Sequence, residues 1–215
     1  MKLNPFSRKP QPAMVVPAAS GAKCVLNVGG NSKEIPIPGH YDGWTHLLLD
    51  IDPKGNPDVL CDARELKTRQ PTEFDAVYCS HNLEHYYRHD VGKVLRGFRH
   101  VLKDDGFAEI RVPDLRSVMQ RCVADDLGAD DVLYESPAGP ITVCDVLYGL
   151  AWQIEKSGVD FYAHKTGFTA AALTSVLEQA GFEKIFVSER TYAYEISALA
   201  FKRAPTPWQC KLFGL

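Results

Sequence analysis

The chain has 215 residues, of which 45% are hydrophobic and 24% charged, and its formal net charge is −3. This length suits one large α/β domain with a full core, and it is too short for two ordinary domains. The weakly negative charge disfavours nucleic acid as a partner, because phosphate binding relies on a basic excess. No apolar stretch approaches the roughly 20 residues of a membrane-spanning helix. We therefore expect a cytoplasmic protein without a membrane contact.

The six cysteines form no Cys-x-x-Cys pair, and several lie inside apolar runs. We expect reduced, buried thiols, because cysteine behaves as a small hydrophobic residue in such runs. Residues 1–21 are rich in proline and lack periodicity, which predicts a flexible N-terminal arm.

Short apolar runs alternate with amphipathic segments from residue 24 onward, which is typical of βαβ units and a mostly parallel sheet. The expected domain covers residues 22–203. The predicted strands are 24–28, 46–51, 74–79, 107–112, 184–188 and 196–201, with a shorter apolar stretch at 58–60. Helical periodicity predicts a helix over 90–102, with Asp90 as N-cap or first-turn acid, and another over 169–180.

An insert at about 114–168 interrupts this alternation. It contains a predicted helix at 114–124, a Pro/Gly turn, an apolar helix candidate at 141–154 and a polar-aromatic loop. Late insertions in α/β folds often carry the substrate side of a site, so we expect a substrate lid here. The C-terminal tail, 204–215, is expected either to form a homodimer contact or to dock on the core.

A glycine pair, Gly29 and Gly30, directly follows the first predicted strand. Glycines here allow a sharp turn and a close approach to a ligand, although a tight turn that binds nothing explains them equally well. The G-x-G-x-x-G pattern is incomplete, and Pro36 and Pro38 prevent a long helix behind the loop. The loop therefore suits a ligand without phosphates.

Acidic residues follow the next two strands. Asp50 ends the second strand, where a carboxylate can accept hydrogen bonds from ribose hydroxyls; the alternative is an Asp-x-Asp-Pro turn formed with Asp52. Asp62 follows the short third strand, where it could accept from an exocyclic amine or simply cap a helix. The fourth strand runs directly into Ser80, His81 and further polar residues.

Six segments together resemble the class I S-adenosylmethionine (SAM)-dependent methyltransferases, in the branch with a Leu-Glu-His segment after the fourth strand. The resemblance covers about 24–113 and 164–201. It rests on LNVGG, LLLDID, DVLCDAREL, FDAVYCSHNLEH, HVLKDDGFAEIRVPD and GFTAAALTSVLEQAGF. It implies a Rossmann-like, doubly wound sheet with a final antiparallel strand, helices on both faces, and SAM as cofactor, giving S-adenosylhomocysteine.

The resemblance also implies cofactor roles for individual residues. Asn27, Gly29 and Gly30 would lie beside the methionine part of SAM. Asp50 would hold the ribose, Ile51 would pack on the adenine, and Asp62 and Ala63 would meet the edge of the adenine. Ser80 and His81 would line the floor of the site near the sulfonium. The sequence departs from the family pattern at Asn27, where the usual residue is acidic, and in the shortened first helix.

His81, His85 and His164 are the candidate general bases, since a histidine near neutral pH can take a proton from an oxygen or nitrogen acceptor. His81 and His85 could equally be a cofactor wall and a packed residue. Tyr162, His164 and Lys165 of the polar-aromatic loop are the candidate acceptor-binding residues. The i, i+4, i+8 spacing of His81, His85 and His89 could suggest zinc, but a turn should separate them, so we expect no metal.

The predicted function is methyl transfer from SAM to an oxygen or nitrogen of a small-molecule, sugar or peptide acceptor. Two alternatives stay open at this point. One is a module that binds SAM or its product without catalysis. The other is a nicotinamide-dependent oxidoreductase or epimerase, against which the missing pyrophosphate fingerprint counts.

Overall fold

The computed structural model describes residues 21–69, 71, 73–136, 139–190 and 194–215; the predicted N-terminal arm lies outside them except for Gly21. Their strands are β1 (Cys24–Val28), β2 (Thr45–Asp50), β3 (Val59–Leu60), β4 (Phe74–Ser80), β5 (Leu102–Pro113), β6 (Val132–Ser136), β7 (Gly139–Thr142), β8 (Lys184–Arg190) and β9 (Glu195–Phe201). The α-helices are α1 (Arg88–Val101), α2 (Leu115–Asp125), α3 (Val143–Tyr148), α4 (Ala151–Ser157), α5 (Ala170–Gln179) and α6 (Pro207–Phe213).

Seven strands form one sheet in the order β3-β2-β1-β4-β5-β9-β8. The first five strands of this order are parallel, and β9 runs antiparallel to both of its neighbours. The order reverses between β1 and β4, which is where open α/β sheets form a ligand crevice at the carboxyl ends of their strands. The Rossmann-like fold class predicted from the sequence is confirmed.

Helices α1 and α5 cover one face of the sheet, together with a 3-10 turn over Ala63–Thr68. Helix α1 buries its predicted apolar face from Val91 to Val101, whereas Leu102, the last residue predicted for that face, begins β5. Asp90 is a first-turn acid that accepts from Lys93 Nζ at 2.6 Å, and the helix begins after Tyr87. Helix α5 begins at its Thr169 N-cap, as predicted.

The other face carries an aromatic cluster instead of a helix between β1 and β2, as the prolines predicted. Tyr41 and Phe107 stack with 6.4 Å between ring centroids, and Phe213 of α6 meets Phe107 edge-on at 5.1 Å. Lys23 Nζ lies 4.0 Å from the Trp208 ring. The C-terminal segment therefore docks on the core of its own chain and covers this face.

The insert folds around its own small apolar cluster, which includes Val118, Leu133, Ile141, Val143 and Val146. Helix α2 begins at the Asp114 N-cap, whose carboxylate accepts from the Arg116 amide at 3.0 Å. Strands β6 and β7 form a separate two-stranded sheet.

The predicted helix over 141–154 is wrong. Thr142 ends β7 and caps α3 through a reciprocal pair of hydrogen bonds with Asp145, so the chain is extended before Val143. Gly149, at φ +92°, then separates α3 from α4, because that conformation cannot continue a right-handed helix.

Two predictions about residue environment can be checked directly. The six cysteines, all within the described part of the chain, are free, and Cys24, Cys61 and Cys79 are buried. Among the described residues, no helix is both long and apolar enough to cross a membrane.

Candidate active site

Two neighbouring cavities open at the carboxyl ends of the parallel strands. The smaller, about 180 Å³, is lined by Ile51 and Asp62 and by residues that follow β4. The larger, about 550 Å³, lies between the strand ends and the insert, and Asn31, His81 and His164 are among its lining residues. His85 lines both cavities, so the two lie side by side.

The glycine loop is shaped by two asparagine side chains. A Cβ on Gly29 would lie 2.1 Å from Asn82 Nδ2, and a Cβ on Gly30 would lie 2.2 Å from Asn27 Nδ2. Gly29 also has φ +72°, which an L side chain rarely adopts. Asn27 is buried, and its side chain packs against Gly30. Both glycines are thus required by packing within the loop, and Gly29 by its backbone conformation as well.

Asp50 links the end of β2 to this loop. Its Oδ2 accepts from the Asn31 amide at 3.0 Å, and its Oδ1 accepts from the Asp52 amide at 2.9 Å. An ionised carboxylate offers about four acceptor positions, so two are left for a ligand. Asp52 instead closes the following turn by accepting from the Lys54 amide at 3.0 Å. Ile51 leaves 38% of its surface exposed at the rim of the smaller cavity.

Asp62 has the capping role that the sequence allowed as an alternative. Its carboxylate accepts from the Arg64 amide at 2.9 Å and pairs with the Arg64 guanidinium at 2.6 Å. That guanidinium also reaches Asp90 at 3.1 Å. Asp62 nevertheless lines the smaller cavity, whereas Ala63 is buried in the core.

The chain turns sharply after β4, where Ser80 ends the strand and His81 takes a left-handed backbone with φ +48°. This turn directs His81 towards Glu195 of β9, with 3.1 Å between Nε2 and Oε2, and towards Glu84, with 3.6 Å between Nδ1 and Oε1. The His81 side chain is 52% exposed, and its partial loss of hydration opposes the charge, but the two carboxylates outweigh this effect and raise its pKa to about 10. His81 is therefore protonated at neutral pH and has no free lone pair with which to act as a base.

His164 has the opposite character. Its Nδ1 bonds to the Val146 carbonyl at 2.8 Å, which places the proton on Nδ1 and leaves the Nε2 lone pair free. Nε2 lies 4.0 Å from Glu84 Oε1, and the side chain is only 13% exposed. Burial lowers the pKa of His164, so the imidazole is neutral at physiological pH.

Backbone hydrogen bonds hold the polar-aromatic loop beside both cavities. The Lys165 and Thr166 amides both donate to the Glu84 carbonyl, at 2.8 and 3.1 Å, and the His164 amide donates to Tyr148 at 3.0 Å. Tyr162 and His164 line the larger cavity, and Lys165 lines the smaller one. Lys165 Nζ is turned towards Asp160, at 3.2 Å from Oδ2.

The structure adds residues that the sequence did not single out as functional. Glu84 is 1% exposed and lies among His81, His85 and His164. Tyr134 and Tyr194 stack at 5.8 Å and line the larger cavity. Glu84 belongs to the Leu-Glu-His segment, so its position was visible in the sequence, but its burial between histidines from two segments was not.

The parallel sheet, the antiparallel β9 and the strand-end crevice are the arrangement that the resemblance to the class I SAM-dependent methyltransferases implied. Residues 45–110 match the family model described as a methyltransferase domain. The resemblance predicted from the sequence is thereby confirmed for these residues, and the match supports a class I SAM-dependent methyltransferase with SAM as cofactor. No curated protein gives a significant match to the sequence.

Solved structures share this fold at low sequence identity. A SAM-dependent methyltransferase from Archaeoglobus fulgidus matches with a TM-score of 0.53 and 16% identity, over 85% of this chain and 87% of that chain. The PH0226 protein from Pyrococcus horikoshii matches with a TM-score of 0.51 and 14% identity, over 85% and 82%. The CurJ carbon methyltransferase matches with a TM-score of 0.51 and 10% identity, over 85% and 49%. These identities show the fold alone.

The strand ends fit SAM in their chemistry. The remaining acceptor positions of Asp50 would suit the ribose hydroxyls, and the exposed Ile51 would offer the adenine an apolar surface at the smaller cavity. Asn31 and Ile35 lead from the glycine loop to the larger cavity.

Proposed function

We propose that this protein transfers a methyl group from SAM to an oxygen or nitrogen of a small acceptor held in the larger cavity. In this proposal His164 removes the acceptor proton. Residues 22–203 form the catalytic domain, and the insert at about 114–168 forms the wall of the acceptor site.

The position and tautomer of His164 carry this proposal. The Val146 carbonyl fixes the proton on Nδ1, so Nε2 is the acceptor nitrogen of a residue that lines the cavity. Burial keeps the ring neutral, and the Glu84 carboxylate 4.0 Å away stabilises the positive charge that forms once Nε2 takes a proton. SAM supplies an electrophilic methyl group, so the chain must only position the nucleophile and accept its proton.

His81 and His85 complement this base. His81 is positively charged between Glu84 and Glu195, which suits orientation of an acceptor oxygen better than proton removal. His85 lies at the boundary of the two cavities, with Nδ1 3.1 Å from the Ala163 carbonyl. It would hold the loop over the point where cofactor and acceptor meet.

The lining of the larger cavity favours a compact, partly apolar acceptor. Ile141, Val146 and Leu150 form an apolar wall, and the tyrosines add flat polar surfaces. A volume of about 550 Å³ suits a small molecule, and also a sugar or a single peptide side chain. Tyr162 and His164 would contact the acceptor, whereas the Lys165 side chain contributes to the smaller cavity.

The test is a turnover assay that measures S-adenosylhomocysteine release over a panel of small phenols, alcohols, amines and sugars. We expect at least one acceptor to be methylated, and His164→Ala to lower kcat by about 10²–10⁴-fold. SAM affinity, measured by calorimetry, should stay unchanged in that variant. His89→Ala is the matched control, because His89 is an exposed histidine of α1.

Two results would contradict the proposal. Full turnover by His164→Ala would show that His164 is not the base. SAM binding without release of S-adenosylhomocysteine for any acceptor would favour the non-catalytic module.

A further inference from the structure

One group among the described residues has the spacing of metal ligands: Glu84, His85 and His164 each offer a ligand atom, and these atoms lie within 4.8 Å of one another. The group differs from the one considered from the sequence. His89 of that earlier set lies exposed on α1, where it stacks on Tyr87 at 5.7 Å. The turn after β4 and the polar-aromatic loop bring the new group together.

The Glu84 carboxylate points independently to a cation. The residue is 1% exposed, and within the described part of the chain neither carboxylate oxygen has a hydrogen-bond partner. His81 Nδ1 and His164 Nε2 approach Oε1 only to 3.6 and 4.0 Å. A buried carboxylate without hydrogen bonds is costly, and the charged His81 at 3.6 Å offsets this cost only in part because it donates no hydrogen bond to either oxygen.

The two histidines have the surroundings of metal-ligating imidazoles, which usually donate their other N–H to a carbonyl. His164 Nδ1 lies 2.8 Å from the Val146 carbonyl, so Nε2 is free to ligate. His85 has carbonyls near both nitrogens, Ala163 at 3.1 Å from Nδ1 and His81 at 3.2 Å from Nε2. A neutral imidazole donates only one of these two hydrogen bonds, so the other His85 nitrogen keeps a lone pair, which would have to turn from its carbonyl to ligate a metal.

We propose that Glu84, His85 and His164 bind a divalent transition metal of the zinc class on the wall of the acceptor cavity. Two imidazoles and one carboxylate form a ligand set typical of zinc sites with an open position. The open position would face the larger cavity, which all three residues line. Binding does not depend on methyl transfer. The effect on turnover does rest on the proposed function: metal and proton compete for His164 Nε2, so bound zinc would inhibit transfer.

Calorimetry with ZnCl₂ on the purified, chelator-treated protein tests this proposal. We expect saturable binding of one ion per chain, weakened about tenfold or more by Glu84→Gln and by His164→Gln. His89→Ala should bind as the unaltered protein does. SAM binding serves as the folding check in each variant, and Co²⁺ provides a second readout because its visible absorption should appear in the unaltered protein and be lost in His164→Gln.

Absence of saturable binding would overturn the proposal. So would binding that His89→Ala abolishes, or that the Glu84 and His164 variants leave unchanged, because the ion would then lie elsewhere on the surface. Failure of His164→Ala to lower turnover would instead contradict the base assignment and leave the metal result standing.

Discussion

Replacing Gly29 by alanine tests how tightly the cofactor loop is built. The residue has φ +72°, and the new Cβ would lie 2.1 Å from Asn82 Nδ2 and 2.8 Å from Asn82 Cβ. The backbone conformation costs an L-residue about 1–2 kcal/mol. Displacing Asn82 adds about 1–3 kcal/mol, as for other overpacked sites. We therefore expect Gly29→Ala to lower the free energy of unfolding by about 2–5 kcal/mol.

Gly43→Ala is the matched control, because Gly43 has φ +80° and no heavy atom within 4 Å of its Cβ position. It should show the backbone cost alone, about 1–2 kcal/mol. Urea unfolding of both variants separates the two contributions, and a double-mutant cycle with Asn82→Gly should show a favourable coupling. Asn82 lines the smaller cavity, so Gly29→Ala should also weaken SAM binding. Equal destabilisation by the two alanine variants would refute the argument from packing.

Three further predictions concern charge and packing. The pKa of His81 is raised to about 10 from 6.5, so its contribution to stability is full below pH 6.5 and is lost as the pH rises through 10. The difference in unfolding free energy between the unaltered protein and His81→Asn should therefore shrink over that range. The pKa of His164 is lowered from 6.5, so the acidic limb of kcat should have its midpoint below pH 6.5, and a midpoint above it would argue against this base. Phe107 is fully buried beneath α6, so Phe107→Ala should cost about 3–5 kcal/mol in urea unfolding, and a cost under 1 kcal/mol would show that α6 repacks freely.

Much of the fold followed from local patterns. Strands β1, β4 and β5 are buried on both faces, so most of their residues are apolar, and this gives the sequence its strongest signal. Helix α1 was predictable because its apolar residues recur at helical spacing. The absence of an α-helix between β1 and β2 followed from Pro36 and Pro38.

The insert was harder to predict, because its structure depends on single capping and turn residues. The apolar run over 141–154 has helical composition, yet the Thr142 cap and the left-handed Gly149 divide it. The short strand β7 is too brief to show an alternating pattern. Composition alone does not distinguish one long helix from a strand followed by two short ones.

The site was predictable in position but not in its internal contacts. Asp50 and Asp62 could be placed because carboxyl ends of parallel strands meet at one edge of the sheet. Glu84 and His164 are 80 positions apart in the sequence. They lie close together because backbone hydrogen bonds hold the polar-aromatic loop in place, and such bonds leave no periodic pattern in the sequence. The charge of His81 likewise depends on Glu195, which belongs to β9 near the C-terminal end of the domain.

Calorimetric titration of SAM into Asp50→Ala and Asp52→Ala tests the cofactor site most directly. The two acids are neighbours, but Asp50 ends β2 and bonds to the glycine loop, whereas Asp52 closes the following turn. The unaltered protein should bind one SAM per chain. Asp50→Ala should weaken SAM binding by about tenfold or more, because hydrogen bonds to a charged group contribute about 1.5–3 kcal/mol, and Asp52→Ala should leave it nearly unchanged. Equal affinities in the two variants, or no binding by the unaltered protein, would contradict the account.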